Sequence, residues 1–479
     1  MCEIVGRKQE IEELKKLYNS KQSEFVAVYG RRRVGKTFLV KEVFRDVMTF
    51  SHTGLSPIEK NKSNKTKDQL QNFYYSLIRY GLEGQSCPKN WLEAFFMLEQ
   101  LLDRLDNGTR QVVFIDELPW MDTARSGFVT ALEAFWNGWG ASRRNLLFVV
   151  CGSATSWIVD NLINNKGGLY NRLTSQIKLS PFTLRECREF YNANSIKMSD
   201  YDVIQAYMTL GGIPYYMNYF NRSLSLAQNI DKLFFCKNPK LTDEFDRLFG
   251  SLFINDTVCK KIIKCLFTRH YGYMRDEIAK KVGISNNGDL SNLLKALIAS
   301  DFVEKYVPFG YSERNVHYKL SDPFCWFWIT FVEGYQGKDE DYWAHKINKP
   351  EYNSWKGIAF EEICFNHAKQ IKSALGIGSV SSKQSAYIVS ASENNPGMQI
   401  DMVIERADNV VNICEMKFYK DQFTVDKSYD ETLRRRTQQI EEKFPKLNVH
   451  TTLITTFGLR QNEYSNNFQS VVTIEDLMK

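Results

Sequence analysis

Along the first 220 residues, short runs of apolar, β-favouring side chains alternate with stretches whose apolar positions recur every three to four residues. Phe25–Tyr29, Met48–His52, Val112–Ile115 and Leu146–Cys151 are the predicted strands. Strands that alternate with helical stretches read as an α/β unit built on a parallel sheet. From about Ser223 to Val332 the pattern turns mostly helical. There Arg275–Ile284 predicts a short helix with Ile278, Ala279 and Val282 on one face, and Asn286–Gly288 a turn. Leu290, Leu293, Leu294, Leu297 and Ile298 then recur at helical spacing. The runs starting at Phe302 and at Val316 predict a hairpin, and the aromatic-rich Ser321–Trp328 a packing element. Beyond Trp355 a helix opens at Gly357, with Phe360, Ile363, His367, Ile371 and Leu375 on its buried side. Strands follow at Gln399–Ile404 and Val411–Lys417, parted by a turn at Asp408–Asn409. The polar stretches Glu59–Lys67 and Gly337–Asn353 read as a surface loop and a linker. The predicted division is 1–185, 186–250, 251–335 and 350–479.

Composition changes this picture little. With 43% hydrophobic and 25% charged residues the chain can bury ordinary globular cores. Lys and Arg number 62 against 56 Asp and Glu, so the charge permits nucleic-acid contact without arguing for it. The opening MCEIVGRKQE has no apolar run, and no stretch of about 18 apolar residues occurs; these predict neither secretory signal nor membrane span, hence a cytoplasmic chain. The ten cysteines form no CxxC pair and the six histidines no metal spacing, which argues against zinc and disulfide frameworks.

The sharpest chemistry follows the first strand. Gly30-Arg31-Arg32-Arg33-Val34-Gly35-Lys36-Thr37 matches GxxxxGK[ST], and a helical pattern beginning at Phe38 comes next. Strand, glycine loop and helix are the setting this motif needs. The glycines let backbone N–H groups turn toward phosphates, and the helix N-terminus adds partial positive charge. Lys36 is placed to reach the β/γ-phosphates and Thr37 to ligate Mg²⁺. About 80 residues on, the apolar run Val112–Ile115 ends in Asp116 and Glu117. There Asp116 can hold Mg²⁺ and Glu117 can orient and deprotonate the attacking water. A third strand ends at Cys151-Gly152-Ser153, with Ser153 a candidate near the γ-phosphate. Arg172 is a candidate for stabilising transition-state charge, in cis or across a subunit interface, and the second case requires a homo-oligomer.

Together these residues resemble the archaeal-type ATPases of the STAND/AAA-like P-loop NTPases. The resemblance rests on Val5-Gly6-Arg7 with Glu10 and Leu14, GRRRVGKT, FIDEL, CGSA and Leu210-Gly-Gly-Ile-Pro214-Tyr, and covers about 220 residues. It implies that Gly6 and Arg7 pack by the nucleotide base. It also implies that the turn at Pro214 lies on a helical lid that senses the nucleotide state.

Helix, turn, helix and hairpin over 275–320 are similar to a winged helix. Its second helix exposes Asp289, Ser291, Asn292 and Lys295, which is not a basic face, so DNA reading and a regulatory protein contact both stay open. In the C-terminal part, strand alternation sets Asp401 opposite Ile400, Met402 and Ile404, and Glu415 and Lys417 on one face. Asp401 and Glu415 supply oxygen ligands for Mg²⁺ or Mn²⁺, Lys417 can position the attacking water, and Glu361 adds a carboxylate. This block resembles the PD-(D/E)xK nuclease fold, and within it the domain of unknown function that follows archaeal-type ATPases. Ile400 stands where that fold's name has Pro. The expected architecture is an α/β P-loop core with a helical lid, a winged-helix middle and an α/β nuclease-like C-terminal domain. The expected ligands are ATP with Mg²⁺, and DNA through the middle and C-terminal parts. The rival expectation is a signalling or assembly ATPase whose nuclease-like domain only docks.

Overall fold

The computed structural model describes residues 4–56, 65–153, 155–253, 255–347, 349–389 and 397–479. Most of the predicted Glu59–Lys67 loop lies outside the described residues; its last two residues, Thr66 and Lys67, already belong to a helix. The chain divides into two compact units, Met1–Ser180 with Arg247–Asp256 and Lys295–Asp301, and Pro181–Asp246 with Thr257–Leu294 and Phe302–Lys479. Among the described residues no helix is long and apolar enough to cross a membrane.

The first unit is a five-stranded sheet of β1 (Glu24–Tyr29), β2 (Met48–Thr53), β3 (Gln111–Asp116), β4 (Leu146–Gly152) and β5 (Ser175–Lys178). All neighbours are parallel and the order is β2-β3-β4-β1-β5. The predicted strands are found within a residue at each end, because β1, β3 and β4 are buried on both faces and read as unbroken apolar runs. β5 escapes that signal: of its four residues only Ile177 is buried. One face of the sheet is covered by the helices Thr66–Arg79, Trp91–Arg104 and Phe128–Gly138. Phe73, Trp91, Phe95 and Phe128 interlock there, Trp91 and Phe128 edge-on with ring centres 4.9 Å apart.

The second unit opens with the helices Leu184–Ala193 and Asp200–Leu210, each begun by a side-chain cap, from Thr183 and Ser199. A three-stranded antiparallel sheet, β6 (Tyr273–Met274), β7 (Val303–Tyr306) and β8 (His317–Leu320), has the order β6-β8-β7. The helices Arg275–Val282 and Gly288–Ala299 separate β6 from β7 in the chain, so the predicted helix–turn–helix and hairpin are present. The aromatic run is core: Phe324 and Phe327 are fully buried, and Phe327 meets Phe234, Trp343 and Trp355.

The predicted linker 337–353 differs from what forms. It holds the helix Tyr342–Lys346, and the long helix starts at Pro350 rather than Gly357. Two local devices explain this. The buried Asp231 carboxylate accepts the N–H groups of Trp343 and Ala344, and Pro350 is pre-set for a first helical position. The helix also breaks at His367, whose Nδ1–H donates to the Ile363 carbonyl while its Nε2 accepts the Leu184 N–H.

The C-terminal sheet has the order β13-β12-β11-β10-β9, from β9 (Ser382–Val389), β10 (Met398–Arg406), β11 (Val410–Lys417), β12 (Asn448–Thr455) and β13 (Ser470–Val472). β9, β10 and β11 pair antiparallel; β11, β12 and β13 pair parallel, with the helix Lys427–Lys443 crossing between β11 and β12. A register shift between Ile400 and Val403 interrupts the predicted alternation, so Met402 and Val403 are both buried.

Candidate functional site

The first candidate site lies at the C-terminal ends of β1, β3 and β4. Gly30 has φ +140°, and a Cβ there would lie 2.1 Å from the Leu179 carbonyl oxygen just beyond β5, so only glycine fits. Gly35, at φ +92°, turns the chain into the helix Lys36–Val43. Lys36 is buried, and its ammonium donates to the carbonyls of Gly30 (2.9 Å) and Arg31 (2.8 Å). Burial lowers its pKa, opposed by the negative charge of Glu117 and Asp116. The Thr37 hydroxyl donates to Asp116, 3.0 Å from Oδ2 and 3.2 Å from Oδ1.

Glu117 sits in the left-handed region at φ +48°, costly for a residue with a Cβ, and its own N–H donates to Asp116 Oδ1 at 3.0 Å. Its Oε2 accepts from the Ser153 N–H (3.0 Å) and hydroxyl (2.9 Å). The strand order explains this clamp: β4 lies between β1 and β3, so the residue ending β4 stands between the lysine loop and the paired carboxylates. Sequence reading finds Ser153 but misses that its partner is Glu117.

The other nucleotide-site candidates divide. Arg7, at φ +55° after Gly6, is buried and donates to the carbonyls of Val34 and Ser180, tying the chain's start to the glycine loop. Arg31 and Val34 are buried, Arg32 and Arg33 half-buried, and Phe38 is exposed. Arg172 is exposed, and no hydrogen bond or ion pair joins its side chain to Asp116 or Glu117. Pro214 belongs to the other compact unit, where it begins the helix Pro214–Met217; the Gly212 carbonyl before it accepts the Phe182 N–H at 2.8 Å.

The second candidate site is in the C-terminal sheet and gathers four predicted residues from three elements. Glu361 comes from the helix Pro350–Asn366, Asp401 from β10, and Glu415 and Lys417 from β11. Burial raises the Asp401 carboxyl above its usual range, and the Glu415 charge raises it further; Lys417 and Arg436 oppose this, as does the Met416 N–H bonded to it. Burial also raises Glu361, reinforced by Asp401. Lys417 Nζ lies 3.6 Å from Glu415 Oε2, which also accepts the Tyr429 hydroxyl at 2.8 Å, while Arg436 pairs with Oε1. Tyr429 and Arg436 are missed by sequence reading. Seven residues apart, they share one face of the helix Lys427–Lys443, yet nothing in the sequence tells which face meets β11.

Next to Glu361, Glu362 is buried and salt-bridged to Lys319 of β8, 3.1 Å away; Lys319 also lies 3.3 Å from Glu304 of β7. One helix thus carries a carboxylate of the candidate site and an ion pair to the three-stranded sheet.

Among the described residues no three His, Cys, Asp or Glu side chains are grouped to hold a metal ion. The donor chemistry still fits a hard divalent cation at both places: a hydroxyl and a carboxylate at Thr37 and Asp116, two carboxylates at Asp401 and Glu415. A cation at either would complete its shell with water or phosphate oxygens.

Comparison with known proteins bears on the N-terminal part of the chain as a domain. Residues 4–220 match the family described as "ATPase domain predominantly from Archaea". An uncharacterized protein of Methanocaldococcus jannaschii, MJECL04, is 26% identical over 366 residues, 75% of this chain and 76% of its own. From the same organism, the uncharacterized ATP-binding protein MJ0423 is 47% identical over 39 residues, 8% of this chain and 66% of its own. Among solved structures, the Walker-type ATPase PABY2304 of Pyrococcus abyssi aligns at 17% identity and TM-score 0.47, over 67% of this chain and 95% of that one. Residues 4–220 therefore carry an ATPase domain of the archaeal type with a P-loop on a parallel sheet.

Proposed function

We propose that this protein is an ATP-hydrolysing switch of the STAND/AAA-like kind whose C-terminal part is a metal-dependent nuclease domain. In the ATPase domain, Lys36 exchanges two loop carbonyls for β/γ-phosphate oxygens. Thr37 and Asp116 would hold Mg²⁺, which when bound neutralises charge developing on the phosphates. Glu117 takes the proton of the attacking water, and Ser153 fixes its carboxylate meanwhile. Arg172, exposed on its own subunit, would serve a neighbouring copy, and the Pro214 turn would report the nucleotide state on the lid.

The middle part is read as a winged helix, on its order of helices and strands. The C-terminal part is read as a PD-(D/E)xK-like fold. The single observation that carries the nuclease reading is the gathering of Glu361, Asp401, Glu415 and Lys417 from three elements, where burial raises both Glu361 and Asp401. Perturbed carboxylates beside a lysine are the means to bind a cation and place water against a phosphodiester. Hydrolysis joins the water oxygen to phosphorus and releases the sugar oxygen as an alcohol, the water's proton passing to it through solvent.

The test is cleavage of single- and double-stranded DNA with Mg²⁺ or Mn²⁺, with and without ATP, for wild type beside Asp401→Ala. Cleavage lost in the variant supports the reading; no cleavage under any condition removes it. One observation favours the rival, an assembly ATPase with a docking domain: both oxygens of Glu415 are already engaged, by Arg436 and by Tyr429. In that case Arg436→Ala leaves nucleic acid intact as the wild type does.

A further inference from the structure

Just outside the C-terminal carboxylates stands a lysine with no anion among the described residues. Lys356, on the same helix as Glu361, is only 6% exposed. Its ammonium lies over the rings of Tyr352 (4.5 Å) and Phe418 (5.8 Å), and among the described residues no carboxylate bonds to it. Burial and the nearby positive charge of Lys420 both lower its pKa, so its surroundings hold a second cation rather than a counter-ion. With its stem buried and no carboxylate bonded to it, the ammonium is open to an arriving anion.

Phe418 directly follows Lys417, and the chain beyond it presents aromatic faces to solvent. β11 and β12 pair Lys417 with Thr455 as their last partners, and Tyr419 and Phe457 each follow two residues beyond. The Tyr419 N–H donates to the Thr456 hydroxyl (3.3 Å), which donates back to the Tyr419 carbonyl (2.6 Å). These bonds tie the two chain segments together; the Tyr419 ring packs on Phe423, 5.3 Å away, yet Tyr419 is 51% and Phe457 43% exposed. Tyr201 fills the space behind, its ring 4.7 Å from Phe418 and nearly parallel, and 5.8 Å from Phe457. Solvent-facing rings fixed from behind are platforms for flat ligands rather than core that failed to bury.

We propose that Lys356, Tyr419 and Phe457 form the binding subsite for an unpaired polynucleotide strand leading to the C-terminal carboxylates. Lys356 takes a backbone phosphate, and the two rings stack successive bases. Only unpaired bases offer faces to such rings, since in a duplex those faces are covered by neighbours. The proposal rests on the nuclease reading for what happens next, but binding itself needs no catalysis.

The experiment is fluorescence anisotropy with the full-length protein in EDTA, using labelled oligodeoxynucleotide and oligoribonucleotide single strands and the matching duplex DNA. Either single strand should bind more tightly than duplex, and which one binds identifies the sugar. Tyr419→Ala and Phe457→Ala should each weaken it about 5- to 150-fold. Lys356→Met should weaken it and lower the slope of log affinity against log salt by about 0.7, and Lys356→Arg should restore both. Unchanged ATP turnover and melting temperature show that the variants fold. Equal affinity for duplex, displacement of the strand by polyglutamate, or full binding in the Tyr419→Ala/Phe457→Ala double variant overturns the proposal. Asp401→Ala separates the two ideas: strand bound but never cleaved by wild type removes the nuclease reading and leaves this subsite standing.

Discussion

Asp116 and Glu117 in the first unit and Asp401 and Glu415 in the second are both carboxylate pairs set by neighbouring strand segments, and they are held in opposite ways. Asp116 and Glu117 are satisfied largely by neutral donors, the Thr37 hydroxyl and the Ser153 hydroxyl and amide. Asp401 and Glu415 are crowded by full positive charges, Lys417 and Arg436. Neutral donors release a carboxylate at small cost when a cation arrives; a salt bridge at this depth must be exchanged for something of comparable strength. The first pair is thus poised to accept its cation, and the second accepts one only if phosphate or metal displaces Arg436.

That contrast can be broken at several points. The largest effect should be that of Glu117→Gln, which keeps the Ser153 contacts and nucleotide binding but lowers ATP turnover by about 10²- to 10⁴-fold in a phosphate-release assay. Turnover at the wild-type rate would remove Glu117 as the base. In the second pair, Lys417→Ala should reduce any strand cleavage about 10²- to 10³-fold on a gel while ATP turnover holds; residual full cleavage would assign it to another site. Lys36→Ala should weaken ATP binding by about two orders of magnitude by calorimetry, and undiminished affinity would sink the phosphate role of the loop.

The smallest effect concerns pH. Burial and the Asp401 charge raise the Glu361 carboxyl in the folded state. Raised carboxyls cost nothing while protonated in both states, and the cost appears as pH rises past the unfolded value of about 4.3. Glu361→Gln should therefore melt like wild type near the acid end and about 2–4 °C higher at alkaline pH, the scale of 1 kcal/mol in a unit of this size. For the same reason Mn²⁺ should raise the wild-type melting temperature more at alkaline than at acid pH. Equal shifts at both ends would place the cation elsewhere.

The two sites also differed in how far they could be read beforehand. Gly30 to Thr37 is one contiguous stretch whose backbone does the work, so its letters nearly specify its shape. Asp116 and Glu117 ride on a strand apolar on both faces, a signal hard to miss. The C-terminal residues were legible singly, as charges set in apolar runs, but their charge partners were not. Tyr429 and Arg436 come from a long polar helix whose sequence does not say which side faces the sheet. Lys356 fell between the stretch read as linker, which ends at Asn353, and the predicted helix start at Gly357, because the capping by Asp231 that orders the preceding turn lies more than a hundred residues away.

One helix gives this second unit a mechanical property. Asp200–Leu210 runs from Tyr201, flat against Phe418, to the Gly211–Pro214 turn, a rod about 16 Å long at 1.5 Å per residue. Rods of this length do not absorb motion along their axis. The helix thus joins the Gly211–Pro214 turn to the ring stacked on Phe418, one peptide bond from Lys417.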